Sequence, residues 1–418
     1  MTTARRTTTA KWTVLLAIMM VLSMVLSACG ATPTATPVPP TPVPPTATKP
    51  AAAPTTAPAA APTTAPAAPA TATSVPPTAT KPAPTNTPAP AAGSLLINGA
   101  GATFPYPLYS RWFYEYAFIN TAVKFNYQSI GSGGGIQQIT AKTVDFAGSD
   151  SILTDAQYAA VAPAKLQMLP IVAGAVVATY NIKEVTATLT FDSKTLSGIF
   201  LGTITKWNDP AIVALNPGVT LPAKDIIVVH RSDGSGTSFI FTSYLAAVSA
   251  DWKSKVGAGS SVNWPVGLGG KGNEGVAGTV SQNDGSIGYV ELAYAKQNKL
   301  YYAKAKNAAG TAVEATVATT QNAVADFASN MPDSLAVSIV NAPSTNAWPI
   351  AGYTYLIVYM DQQDCTKGKA VLDFIRWAVT DTASKFATEL DYVPLSANVR
   401  TTVLAKLDTV TCKGAPLK

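Results

Sequence analysis

The stretch Ile226-Ile-Val-Val-His-Arg-Ser-Asp-Gly-Ser-Gly-Thr-Ser238 runs from an apolar segment into a turn rich in Gly and Ser. After it, Phe241, Leu245 and Val248 recur at the spacing of one helix face. A short apolar run bounded by turn residues predicts a strand, and the recurring apolar residues predict a helix over 239–248. Strands and helices alternate in this way along the chain from residue 94, which predicts an α/β fold.

Two other turns of this kind follow predicted strands, Gly99-Ala-Gly-Ala-Thr-Phe-Pro105 and Gly131-Ser-Gly-Gly-Gly135, and a helix is predicted over 136–142 after the second turn. The first turn of a helix has N–H groups without intrahelical partners, and the helix dipole makes that end positive. A phosphate-sized anion satisfies both needs, glycine lets the backbone approach it, and Ser and Thr hydroxyls add donors. Each turn alone is more often only a turn, so the prediction of an oxyanion site depends on all three together.

These turns lie in longer motifs that resemble the signatures of one family, the high-affinity phosphate-binding proteins that serve ABC phosphate importers. The motifs that carry the resemblance are Gly99-Ala-Gly-Ala-Thr-Phe-Pro105, Gln128-Ser-Ile-Gly-Ser132, Val144-Asp-Phe-Ala-Gly-Ser-Asp150, Ile204-Thr-Lys-Trp-Asn208, Arg231-Ser-Asp-Gly-Ser-Gly-Thr-Ser238, Gly267-Leu-Gly-Gly-Lys-Gly-Asn273 and Gly288-Tyr-Val-Glu-Leu-Ala-Tyr-Ala-Lys296. They follow one another in the family's order from about Leu95 to about Tyr392.

The resemblance implies a phosphate site whose hydrogen-bond donors can be placed on this sequence. The implied donors are Thr103, Phe104, Ser132, Arg231, Ser235, Gly236 and Thr237. Asp233 is in the position that holds the guanidinium of Arg231. Ser129 and Gly133 depart from the family's pattern, and Gly133 removes a hydroxyl. The number of donors from the second turn therefore stays open.

The resemblance also implies that Asp150 accepts the proton of the bound phosphate. An ionised carboxylate only accepts hydrogen bonds, and phosphate still carries a proton near neutral pH whereas sulfate does not. A desolvated clash between the carboxylate and a sulfate oxygen costs several kcal/mol, so we expect discrimination against sulfate. Arsenate keeps a proton as phosphate does, and the preference between these two stays open.

The family's fold implies two α/β lobes joined by hinge strands, a periplasmic-binding-protein fold of type II. By that mapping, lobe I comprises residues 94–170 plus 345–418 and lobe II comprises 171–344. The ligand would be held between them and delivered to a permease pair with its ATPase. We expect a monomer without cofactor or catalytic residues.

The N-terminal region has the layout of an export signal. Basic residues precede an apolar run of about 15 residues, too short for a spanning helix of about 20, and the run ends at Leu26-Ser-Ala-Cys-Gly30. This resembles a bacterial lipobox, which predicts a signal peptide over 1–28 and lipidation of Cys29. An ordinary signal with an incidental cysteine is the alternative.

Residues 29–93 are almost entirely Ala, Pro and Thr, which predicts a disordered stalk between a lipid anchor in the cell membrane and an extracytoplasmic domain.

The alkaline pI comes from this N-terminal region. Five of the 29 basic residues and none of the 23 acidic residues lie in 1–98, which leaves 24 basic and 23 acidic residues for the folded part. A near-neutral folded part gives no indication of nucleic-acid binding.

Cys365 and Cys412 are the only cysteines of the folded part, and outside the cell they could form a disulfide or remain two buried thiols.

Three other functions are alternatives for this sequence. In an enzyme, Ser235 would be the nucleophile, but neighbouring strand residues face opposite ways, so His230 should point away from a pocket lined by Arg231. No cluster of residues suggests a catalytic metal.

The segment 267–272 contains G-x-G-x-x-G but follows no clean apolar strand, which favours a structural turn over a dinucleotide site. A stalked adhesin or sensor would need an exposed face that the sequence does not reveal.

Overall fold

The structure, a computed structural model, describes residues 93–329 and 331–417. The predicted signal peptide over 1–28, the lipidation at Cys29 and the Ala/Pro/Thr segment up to residue 92 lie outside the described residues. Among the residues that are described, no helix is long and apolar enough to cross a membrane.

Strands in the described part of the chain are β1 (Leu95–Gly101), β2 (Val123–Ser129), β3 (Phe146–Ser149), β4 (Leu166–Asn181), β5 (Thr190–Phe191), β6 (Ile227–Arg231), β7 (Leu268–Gly270), β8 (Ser286–Glu291), β9 (Tyr301–Tyr302), β10 (Lys304–Lys306), β11 (Ala312–Val313), β12 (Ala351–Tyr359), β13 (Asp361–Gln362), β14 (Val393–Pro394), β15 (Thr411–Cys412) and β16 (Ala415–Pro416).

Helices between these strands are α1 (Tyr106–Ile119), α2 (Ser132–Thr140), α3 (Asp155–Ala159), α4 (Ser193–Phe200), α5 (Pro210–Leu215), α6 (Gly236–Val248), α7 (Ala250–Lys255), α8 (Gly272–Gln282), α9 (Leu292–Gln297), α10 (Val317–Ala328), α11 (Cys365–Ala378), α12 (Asp381–Glu389) and α13 (Ala397–Leu407). The alternation of these helices with the strands confirms the predicted α/β fold.

The main sheet has the strand order β2-β1-β3-β12-β4-β8-β6-β7, and β9 and β14 also pair with β4. β1 is parallel to β2 and to β3, and β6 is parallel to β7 and to β8. The first half of β4 pairs with β12, and its second half pairs with β8. β4 is therefore the strand that joins two sets of parallel strands, and the predicted lobe boundary at 170/171 falls within it.

The sequence of β4 explains its central position. Its residues read LQMLPIVAGAVVATYN, and nearly every one of them is buried. A strand covered on both faces is a continuous apolar run without polar alternation. The core around it includes Trp112, Trp207, Trp252 and Trp348, which are all fully buried.

Two predicted helices begin earlier than the apolar pattern indicated. α6 begins at Gly236 and not at 239, and α2 begins at Ser132 and not at 136. In α2 the small residues Gly133 and Gly135 lie on the side of the helix that touches neighbouring backbone, and in α6 Gly236 lies against the side chains of Ser132 and Asp150. A β-carbon at Gly135 would lie 2.5 Å from the Cα of Gly101, so only glycine permits α2 to pack on the end of β1.

A disulfide joins Cys365, the first residue of α11, to Cys412 in β15, with 5.5 Å between the two Cα atoms. It fastens the C-terminal strands to α11, which packs against β1. The bond closes a loop of 47 residues.

Removal of this disulfide is expected to lower the free energy of unfolding by about 4 kcal/mol, because a loop of this length loses that much closure entropy in the unfolded chain. Guanidinium unfolding of the Cys365→Ser/Cys412→Ser double variant measures the change. The parent protein in reductant is the control and should unfold at the same midpoint as the variant. Equal midpoints for the oxidised parent and the variant would contradict the expectation.

Candidate anion-binding site

The predicted site residues lie at the carboxyl ends of parallel strands. Thr103 follows β1, Ser132 begins the helix after β2, Asp150 follows β3 directly, and Arg231 is the last residue of β6. β6 runs opposite to β1, β2 and β3, so the carboxyl ends of the two parallel sets face each other near the middle of β4. Open α/β sheets bind ligands at the carboxyl ends of their strands. All four side chains are at least nine-tenths buried, so the fold brings distant polar residues into its interior.

Two threonine hydroxyls share one asparagine as a hydrogen-bond donor. Thr103 Oγ1 accepts from the backbone N of Asn273 at 3.1 Å and from its Nδ2 at 2.8 Å. Thr237 Oγ1 accepts from the same Nδ2 at 3.0 Å and from Arg231 Nη1 at 3.3 Å. A hydroxyl oxygen has two lone pairs and one hydrogen. Both oxygens therefore use their lone pairs within the protein, and both hydrogens are left to donate.

Ser132 is arranged in the same way. Its Oγ accepts from the backbone N of Asp150 at 3.1 Å and from the backbone N of Gly236 at 3.0 Å. A β-carbon at Gly236 would lie 2.5 Å from Ser132 Oγ and 2.3 Å from Asp150 Oδ2, so this close approach requires glycine. The hydroxyl hydrogen of Ser132 remains available to a nearby acceptor.

Asp150 is the acceptor of this group and is 2% exposed. Its Oδ1 accepts from the hydroxyl of Thr354 at 2.8 Å, while its buried Oδ2 has no hydrogen-bond partner among the described residues. Burial raises the pKa of this carboxyl to about 7, against the opposing effects of the Thr354 hydrogen bond and the charge of Arg231. A buried polar atom without a partner costs free energy, and a ligand that donates to Oδ2 would remove that cost.

Arg231 is held by a bidentate ion pair. Its Nε lies 2.8 Å from Asp233 Oδ1 and its Nη2 lies 2.6 Å from Asp233 Oδ2, with the Arg231 side chain 1% exposed. Burial alone would raise the pKa of Asp233, but the hydrogen bonds and charge of Arg231 and the N–H of Gly272 outweigh it and lower that pKa. This geometry fixes the guanidinium plane and leaves Nη1 directed towards Thr237.

Ser235 and Gly236 form the N-terminus of α6. Ser235 Oγ accepts from the backbone N of Ser238 at 3.0 Å and so caps the helix, and the Ser235 backbone N donates to Ser260 O at 2.9 Å. The backbone N of Gly236 donates to Ser132. These predicted donors thus lie at the site, and their backbone N–H groups have protein partners in this conformation.

Phe104 is buried, and its carbonyl oxygen accepts from the hydroxyl of Tyr392 at 2.6 Å. Its ring meets that of Tyr392 edge-on, with 6.1 Å between the centroids. The carbonyl of the preceding Thr103 accepts from the hydroxyl of Tyr294 at 2.6 Å. Two tyrosines therefore hold the backbone of this loop from its carbonyl side.

Sequence reasoning missed several residues that support the site, namely Asn273, Tyr289, Glu291, Tyr294, Thr354 and Tyr392; the hydroxyl of Tyr289 accepts from the backbone N of Arg231 at 3.1 Å. The first four lie in motifs that carried the family resemblance, but nothing assigned them a role. Thr354 had a usable signal, since it is a polar residue within an apolar strand and is fully buried. The structural turn expected over 267–272 is β7 and the start of α8, because this segment pairs with β6 as an edge strand.

The arrangement differs from that of a serine hydrolase. The ring of His230 stacks on Trp264 with 4.9 Å between centroids, and its Nδ1 lies 3.0 Å from the carbonyl oxygen of Arg231. Ser235 caps a helix, so these residues are not placed as base and nucleophile. Within residues 93–329 and 331–417, no group of three His, Cys, Asp or Glu side chains is placed to hold a metal ion.

Comparisons with known proteins agree with one another. A family model described as a PBP superfamily domain matches residues 61–382. Phosphate-binding protein PstS of Pasteurella multocida is 46% identical over 314 residues, which cover 75% of this chain and 90% of that protein. Phosphate-binding protein PstS of Methanocaldococcus jannaschii is 36% identical over 308 residues, covering 69% of this chain and 79% of that protein.

Among solved structures, a high-affinity periplasmic phosphate-binding protein with bound phosphate superimposes with a TM-score of 0.60. It is 25% identical, and the match covers 74% of this chain and 93% of that one. The order of the motifs, the fold and these relatives lead to one conclusion. The chain belongs to the PBP superfamily and, within it, to the family of phosphate-binding proteins that includes PstS.

Proposed function

We propose that this protein captures inorganic phosphate outside the cytoplasm and delivers it to the permease pair of an ABC importer. The observation that carries the proposal is the contrast within the site: one buried carboxyl oxygen has no partner, and the hydroxyl hydrogens of Thr103, Ser132 and Thr237 are left to donate. Such a set suits an anion that accepts many hydrogen bonds and donates at least one.

The protonated phosphate anions have this property. HPO₄²⁻ and H₂PO₄⁻ each donate a hydrogen bond to Asp150 Oδ2 and accept from the surrounding donors. Sulfate lacks the proton, so its oxygen would face an ionised Asp150 at the cost of several kcal/mol. Arg231 adds a charge-assisted bond of about 1.5–3 kcal/mol to any oxyanion and so contributes affinity rather than discrimination.

The two-lobe arrangement explains how capture and release alternate. Thr103, Ser132 and Asp150 belong to lobe I (94–170 plus 345–418), and Arg231 and Thr237 belong to lobe II (171–344). Hydrogen bonds between the proposed lobes support closure around the anion: Gly236 N donates to Ser132 Oγ, and Gly133 N donates to Gly234 O at 2.9 Å. β4 belongs to both sets of strands and is the natural hinge.

The N-terminal region supplies the location in this proposal. A lipid on Cys29 would hold the protein at the outer face of the cell membrane, and residues 29–93 would tether the binding domain near its permease. A tether raises the effective concentration of the receptor at its partner without any additional contact. The receptor itself acts as a monomer.

Calorimetric titration of the purified protein, stripped of ligand by unfolding and refolding, tests the function. Phosphate is expected to bind one-to-one and at least about 100-fold more tightly than sulfate at pH 8.5, because several kcal/mol separate the two. A third titration with arsenate measures the preference between phosphate and arsenate, which both carry a proton. A folded sample that binds neither phosphate nor arsenate would contradict the proposed function.

Sulfate affinity is expected to fall roughly tenfold between pH 6 and pH 8, because Asp150, with a pKa of about 7, loses the proton that it could donate to sulfate. In Asp150→Asn the amide donates at every pH, so the affinity should be flat and the discrimination against sulfate largely lost. His230→Gln, which removes the single histidine of the chain, is the control and should keep the slope. An unchanged slope in Asp150→Asn would refute the assignment of Asp150.

Arg231→Lys is expected to weaken phosphate binding by about 10–100-fold, since an ammonium group cannot hold Asp233 through two bonds and present a fixed donor to the anion. Arg376→Lys is the matched control, because Arg376 pairs with Asp408 on the surface at 2.7 Å. The control should stay within about twofold of the parent. Equal phosphate affinities for the two variants would show that Arg231 does not contact the anion.

A further inference from the structure

A buried asparagine outside the predicted donor set connects the two proposed lobes. Asn273 lies in the first turn of α8 and is fully buried. Its Nδ2 donates to Thr103 Oγ1 and Thr237 Oγ1 at 2.8 and 3.0 Å, and its Oδ1 accepts from the backbone N of Glu291 at 2.9 Å. The opposite amide orientation would set Nδ2 against the N–H of Glu291, so the hydrogen-bond partners determine which atom is which.

We infer that Asn273 is a positioning residue for anion binding, which aims the hydroxyl hydrogens of Thr103 and Thr237 at one common anion when the lobes close. The inference rests on the proposed function. Each amide hydrogen serves one hydroxyl oxygen, and the two threonines belong to different lobes. Without Asn273, each hydroxyl would regain an unused lone pair and could rotate its hydrogen away from the anion.

The same turn of chain also positions the cationic donor. The backbone N of Gly272 donates to Asp233 Oδ1 at 3.0 Å, and Asp233 holds Arg231. The start of α8 thus sets two hydroxyl donors through Asn273 and the guanidinium through Gly272. A shift of this turn would misalign all three donors together.

A chain of hydrogen bonds extends from Asn273 back to lobe I. The backbone N–H of Glu291 donates to the Asn273 amide oxygen. Glu291 Oε2 lies 3.0 Å from the hydroxyl of Tyr392, and this hydroxyl lies 2.6 Å from the carbonyl oxygen of Phe104. Tyr392 has one hydroxyl hydrogen, so the second bond needs a hydrogen on the Glu291 carboxyl. Burial holds the pKa of Glu291 well above its usual range, which is consistent with a protonated carboxyl there.

The variant Asn273→Asp has nearly the same shape but lacks both amide hydrogens, and its carboxylate would attract the hydroxyl hydrogens away from the anion. Phosphate affinity, measured by calorimetry on the purified protein, is expected to fall at least about 100-fold, because a repelling charge is added to the lost donors. Asn273→Ala removes the donors without the charge, and about a tenfold loss is expected. Asn283→Asp, at the other end of α8, is the matched control and should bind as the parent does.

A double-mutant cycle separates positioning from a general structural role. In a Thr103→Val/Thr237→Val background the hydroxyls are gone, so adding Asn273→Ala should change phosphate affinity by less than about twofold. Additive losses, or parent-like affinity in Asn273→Ala, would overturn the inference. If Asn273→Asp fails to fold by circular dichroism, Asn273→Ala and Asn273→Ser decide the question. Failure of the parent to bind phosphate would instead refute the proposed function.

Discussion

A hydroxyl oxygen accepts two hydrogen bonds and donates one, and the candidate site depends on this limit. In this conformation Thr103, Ser132 and Thr237 each receive two N–H donors from the protein, so the protein itself decides the direction of each remaining hydrogen. Preorganised donors reduce the ordering cost of binding. Tyr294 and Tyr392 hold the backbone of the Thr103 loop, and the close approach of Gly236 permits the geometry at Ser132.

The charged groups named in the site carry no net positive charge, which distinguishes it from a simple cationic pocket. Arg231 is paired with Asp233, and Asp150 adds a second carboxyl nearby. When hydrogen bonds hold an anion, each of its oxygens must match a protein group: an unprotonated oxygen needs a donor, and a protonated oxygen needs an acceptor. The protonation state of the anion then decides how well it fits. A paired arginine attracts an anion less strongly than a free one, because the carboxylate neutralises part of its charge.

Much of the site was predictable from local patterns. Three glycine-rich turns after strands indicated an oxyanion site, and the motif resemblance placed Asp150 and Arg231 within it. In the structure, Thr103, Ser132, Asp150 and Arg231 lie at the carboxyl ends of β1, β2, β3 and β6. Helix starts were predicted three or four residues late, because small polar residues in a first turn carry no apolar periodicity.

The sequence by itself determined the α/β alternation, the family and the residues that offer donors and one acceptor, because each is encoded within a short segment. Tertiary structure alone decided which atoms are paired. Asn273 and Thr354 support the site from segments far along the chain from their partners, with Thr354 separated from Asp150 by 204 residues. A hydrogen bond between such segments depends on strand order and helix packing, and no local pattern records it.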